Sequence, residues 1–132
     1  MLREKLAELV RGTSAEDLLD GLESVVRELV SRYEPLSVLV TGSLARREFV
    51  RGMSDIDVLV VTERRVAKRE RFLLRAVRDV DVEVTVLSLD EVERAASSGN
   101  QFVIEAVERG VEVYGSAKPL LLRTLGRARG RG

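Results

Sequence analysis

The sequence predicts a layered α/β or α+β fold, and three observations carry that reading. Leu18, Leu22, Val25 and Leu29 recur at helical spacing ahead of Pro35. A β-rich run, Leu36-Ser37-Val38-Leu39-Val40, stops at Thr41-Gly42-Ser43. Val80, Val82, Val84 and Val86 alternate strictly with Asp81, Glu83 and Thr85, as a strand with one buried face requires. With 132 residues, 45% of them hydrophobic, the chain can bury one core and has little room for a second.

The elements follow in order. Residues 2–10 are a short helical stretch. Thr13 and Glu16 have capping-box spacing and predict the start of a second helix, which ends before Pro35. The strand 36–40 comes next, then a polar segment from Leu44 to Ser54. Asp55 to Val61 reads as a strand. Residues 66–78 read as a helix carrying Phe72, Leu73 and Val77. After the alternating strand 80–86, Ser88 and Glu91 form a second capping box. Asn100 caps a helix over 101–109 that Gly110 closes. Val111 to Tyr114 is a short strand, and Pro119 opens the last helix. We read residues 1–117 as one domain, with a helical N-terminal segment over 1–35 and a motif core over 36–91, followed by a basic helix or tail, 118–132.

Composition removes several kinds of chemistry. The chain has no cysteine and no histidine, so disulfides, zinc fingers, thiol nucleophiles, Ser-His-Asp triads and histidine bases are excluded. A metal must be held by oxygen ligands, which points to magnesium, manganese or calcium. Lys plus Arg and Asp plus Glu each total 22, so no global basic field argues for nucleic-acid binding. The charge is uneven, however: Lys118, Arg123, Arg127, Arg129 and Arg131 face no acid between 118 and 132. Such a segment is either a frayed, solvated end or an arm for a phosphate or an acidic partner. No apolar run approaches the roughly 20 residues of a membrane span. The first residues, MLREKLAELVRG, lack a secretory apolar region, and we expect a cytoplasmic protein without membrane contact.

The chemistry-bearing residues lie between 41 and 83. Gly42 permits close backbone approach after the first strand, and Ser43 can cap the short helix that follows. Free N–H groups and a hydroxyl there make a phosphate cradle, although Gly-Ser after a strand is also an ordinary turn. Asp55 and Asp57, one residue apart in a strand, point to one face, near enough to share a divalent ion; D-x-D is also common on solvated strand edges. Glu83, with Asp81 as rival, stands on the polar face of strand 80–86 and can complete an acidic triad. Three carboxylates around two magnesium ions are a recurring device for nucleotidyl transfer and need neither histidine nor cysteine.

Gly42-Ser43, then 11 residues, then Asp55-Ile56-Asp57, then a carboxylate in an alternating strand together resemble the nucleotidyltransferase superfamily that includes DNA polymerase β. The stretch TGSLARREFVRGMSDIDVLVV is similar to the minimal nucleotidyltransferases of archaea and bacteria, with the pattern GSxARxxxxxxSDIDxxV. It matches at Gly42, Ser43, Ala45, Arg46, Ser54, Asp55, Ile56, Asp57 and Val60, and its loop, residues 47–53, is one residue longer. The resemblance covers 37–91 well, 100–115 weakly, and gives no basis for 1–30 or the basic segment. It implies a palm core: a small mixed sheet flanked by helices. It implies Gly42, Ser43 and Arg46 at the nucleotide, and Asp55, Asp57 and Glu83 as catalytic acids ligating Mg (or Mn). Spacing to Ser88 and Glu91 favours Glu83 over Asp81, and the third acid would also help deprotonate the acceptor hydroxyl. The implied reaction moves a nucleoside monophosphate, AMP from ATP or another NTP, to a hydroxyl acceptor by a two-metal mechanism. The acceptor is unidentified and could be a partner protein; a homo-oligomer is also compatible. The other reading is a non-catalytic nucleotide- or partner-binding module, such as the antitoxin-like subunit of a two-protein complex.

Overall fold

A computed structural model describes residues 1–131, with side chains for 1–130; Gly132 and the Arg131 side chain of the basic segment lie outside the described residues. Helices α1 (Leu2–Val10) and α2 (Leu19–Tyr33) precede strand β1 (Ser37–Thr41). A one-turn helix, α3 (Gly42–Ala45), and a loop lead to β2 (Ile56–Thr62). Then come β3 (Phe72–Val77), β4 (Val80–Ser88), α4 (Leu89–Ser97), α5 (Gln101–Arg109), β5 (Val111–Gly115) and α6 (Lys118–Arg131). The five strands form one mixed sheet in the order β3-β4-β2-β1-β5, with β2 and β4 parallel and the other pairs antiparallel. This is the mixed α/β architecture that the sequence and its resemblance imply.

Alternation along the strands decides which helices cover which face. Val38, Val40, Val58, Val60, Val82, Val84 and Val86 point to the side of α1 and α2, where Leu6, Leu22, Val26 and Leu29 complete a buried core. The two N-terminal helices therefore use their apolar faces on the sheet. Leu39, Leu59 and Val61 point to the opposite side, under α4, α5 and α6. Each fully buried Leu or Val contributes about 1.5–3 kcal/mol.

Several expectations are corrected. Residues 66–78 are not a helix: Lys68–Glu70 make a single 3-10 turn, and 72–77 form strand β3, paired antiparallel with β4. The true period there is two, with Leu73, Arg75 and Val77 facing α2 and Phe72, Leu74 and Ala76 facing the other way. The reversal at Arg78-Asp79, with Arg78 at φ 56°, carries no glycine to announce a hairpin. Thr13 and Glu16 do not cap α2. The Thr13 hydroxyl accepts from Ala15 N–H (3.1 Å) and the Glu16 carboxylate from Gly12 N–H (2.6 Å), so the pair shapes the α1–α2 link instead. Of the basic segment, residues 118–131 form the last helix rather than a loose end. In α6, Leu121, Thr124, Leu125 and Ala128 are buried, while Arg123, Arg127 and Arg129 stay exposed. The Glu112 carboxylate anchors the start of α6, accepting from the N–H groups of Ala117 (3.0 Å) and Lys118 (3.1 Å) and from the Ser37 hydroxyl (2.6 Å). The Ser88–Glu91 capping box and the Asn100 cap form as the sequence predicts.

Candidate active site

Register brings the singled-out residues together. Asp57 of β2 pairs with Thr41 of β1 on one side and with Glu83 of β4 on the other. All three share the face of Leu39 and Leu59, so they form a row across the sheet at the margin of the α5 side. Asp81 is not in that row; it pairs with Ala76 of β3, and β2–β4 pairing begins only at Ile56 and Val82. Asp55 is exposed and lies one residue ahead of β2, in the loop rather than in the strand, yet close enough for its charge to act on Asp57.

Gly42 is fixed by two constraints. Its φ of 71° suits glycine, and a Cβ built there would lie 2.3 Å from Asp57 Oδ2. The strand-to-helix turn thus rests directly on the Asp57 carboxylate. Ser43 does not cap α3 as expected. Thr41 holds the N-cap position without a side-chain hydrogen bond, and Ser43 sits within the helix, where its carbonyl accepts from Glu48 N–H (2.8 Å). Arg46 ends α3 and pairs with Glu48 (3.0 Å) and with Glu105 of α5 (2.8 Å), tying the motif loop to the covering helix. The Thr41 hydroxyl is buried and has no partner among the described residues. Sequence reasoning passed over Thr41, although its place two residues after Leu39 puts it on this face.

The electrostatics of the row are those of uncompensated acids. Burial, a hydrogen bond with Glu83, and the charges of Glu83 and Asp55 push the Asp57 carboxyl from 3.8 up to about 6; Arg46 opposes the shift. Hard oxygen donors under mutual repulsion, beside a turn with no side chain in the way, suit a divalent cation such as magnesium. Among the described residues, no three acidic side chains stand in a metal-holding arrangement. A cavity of about 630 Å³ opens from Asp57 and Glu83 toward β3 and the start of α5.

Sheet, turn and acid row together define a nucleotidyltransferase core, and the chain belongs to that family. The model of the nucleotidyltransferase domain matches residues 22–115. Among solved structures, the fold resembles a nucleotidyltransferase-like protein from Exiguobacterium sibiricum, with a TM-score of 0.55 and 13% identity over 80% of this chain. The chain spans about a third (36%) of that protein's length. No curated protein matches the chain. No helix of the described residues is long and apolar enough to cross a membrane.

Proposed function

We propose that this protein transfers a nucleoside monophosphate, AMP from ATP, to a hydroxyl group and releases pyrophosphate. The observation that supports the reading best is the in-register pair Asp57–Glu83, held against Gly42 and carrying an Asp57 carboxyl raised to about 6. Asp57 and Glu83, with Asp55 swinging in from the loop, would hold Mg or Mn. The bound cation would neutralise the acids and polarise the transferring phosphate, in keeping with a two-metal mechanism. Gly42 lets the turn lie directly on the Asp57 carboxylate, Ser43 would offer a hydroxyl to the phosphates, and Arg46 would supply a positive charge that already acts on Asp57. Glu83 accepts the proton of the attacking hydroxyl.

The test is transfer of label from α-phosphate-labelled ATP with magnesium, using protein mixed with lysate of its source and Asp57→Asn as control. A labelled product that vanishes with Asp57→Asn supports the reading. Equal labelling by both proteins refutes it.

A further inference from the structure

Beyond the acid row, the same sheet face continues onto β3. Leu74 pairs with Glu83, and Phe72 pairs with Thr85. The order along one line is therefore Thr41, Asp57, Glu83, Leu74. On the β1 side lie Gly42, Ser43 and Arg46. On the β3 side two large apolar side chains stand 71% (Phe72) and 61% (Leu74) exposed. A single exposed apolar residue needs no explanation, but these two line the cavity that opens at the carboxylates. Phe102 and Val103 of α5 and its cap Asn100 also line it. Among the described residues no Lys or Arg lines it. Two arginines of this edge are engaged elsewhere: Arg75 with Glu28 of α2 (2.6 Å) and Arg71 with Glu91 of α4 (2.5 Å).

Resting on the proposed nucleotidyl transfer, we infer that this cleft is the acceptor site and takes a small alcohol or phenol with an uncharged aromatic or apolar body. Displacement at the α-phosphorus runs in line, so the attacking oxygen enters opposite the departing pyrophosphate. With the phosphates on the Gly42–Arg46 side, the attacker comes from the Glu83–Leu74 side. The acceptor oxygen bonds to the α-phosphorus, and the bond from that phosphorus to the bridging oxygen breaks. Pyrophosphate leaves with the electron pair, and the hydroxyl proton passes to the Glu83 carboxylate. The cavity has the volume of a site for one small molecule. Away from the two acids the lining offers, among the described residues, no Lys or Arg to hold a phosphate, such as that of an RNA end, while Phe72, Leu74 and Phe102 offer apolar and aromatic surface.

A matched probe pair tests this on the full chain: 2-naphthol and 2-naphthyl phosphate, titrated by fluorescence. Magnesium–ATP affinity is measured in parallel for the wild type and Asp57→Asn. The wild type should bind the neutral probe at least about tenfold more tightly than the phosphate. Phe72→Ser should lose about tenfold for the neutral probe, and Leu74→Lys should invert the preference. Both positions are exposed, and circular dichroism checks that the variants fold. If the wild type binds magnesium–ATP but prefers the phosphate probe, or if Leu74→Lys changes nothing, the acceptor assignment falls while nucleotidyl transfer stands. If the wild type does not bind magnesium–ATP, both fall.

Discussion

Replacing Gly42 by alanine isolates how the turn and the acid row are coupled. Two separate costs are expected. Holding alanine at φ 71° costs about 1–2 kcal/mol. The new Cβ would then meet Asp57 Oδ2 at 2.3 Å, Cγ at 3.2 Å and Cβ at 3.4 Å. Only the last is an ordinary contact, so the carboxylate must retreat by about 1 Å. Strand β2 cannot retreat with it, because Asp57 is pinned in register between Thr41 and Glu83. Rotating the side chain away from its rotamer costs a further ~1 kcal/mol. Gly42→Ala should therefore destabilise the protein by about 2–3 kcal/mol in urea unfolding with a chelator present. Asp57→Ala removes Oδ2 and Cγ, so in that background the cost of Gly42→Ala should fall to its backbone component. The coupling between the two sites would be about 1 kcal/mol. Magnesium–ATP affinity of Gly42→Ala should drop more than about tenfold, because the displaced carboxylate is a proposed ligand. An identical cost of Gly42→Ala in both backgrounds would refute the contact on which this reasoning rests.

Three further outcomes follow from the structure. Asp57→Asn should stabilise the metal-free protein: the rise from 3.8 to about 6 corresponds to about 3 kcal/mol for a fully buried acid, and screening at this partly exposed site reduces it to about 1 kcal/mol. Because the folded protein holds this proton more tightly than the unfolded chain, its contribution to stability should grow as pH falls from 7 through 6. The growth ends near 3.8, and Asp57→Asn should lack that slope in denaturation curves taken with a chelator. Gly21→Ala would gain about 1 kcal/mol of helix propensity, but its Cβ would lie 2.3 Å from Val77 Cγ1 on β3. Net destabilisation of about 1–2 kcal/mol is expected, with much of it relieved when Val77→Ala is added, as measured by thermal unfolding. Glu112→Gln should cost about 1 kcal/mol and raise hydrogen exchange at Ala117 and Lys118, whose N–H groups donate to the carboxylate.

Much of this was legible in the sequence because it depends on short-range rules. Alternation in 80–86 named the core-facing valines and, by parity, put Glu83 on the other face. Ser88-x-x-Glu91 and Asn100 announced helix starts, since a cap is satisfied within three residues. The spacing of Gly42, Ser43, Asp55 and Asp57 marked the motif. Strand β3 was lost because Phe72, Leu73 and Val77 also fit a helical period, and only pairing with β4 decides between the two. Arg51 was likewise overlooked. Its guanidinium pairs with Asp17 (2.7 Å) and Asp79 (2.7 Å) and its N–H donates to Ser14 Oγ (3.1 Å), fastening the motif loop at partners more than 25 positions away.

The sequence alone determined the donor chemistry: with neither cysteine nor histidine, oxygen donors such as Asp55, Asp57 and Glu83 are what the chain can offer a metal. It also determined which strand faces are apolar, because alternation is a property of a single strand. Tertiary structure decided that Glu83 rather than Asp81 stands across from Asp57, and that β3 carries the row on to Leu74. Those are matters of register between strands distant in sequence. A slip of one residue would turn each side chain to the other face, and only packing against the helices on both sides of the sheet fixes it.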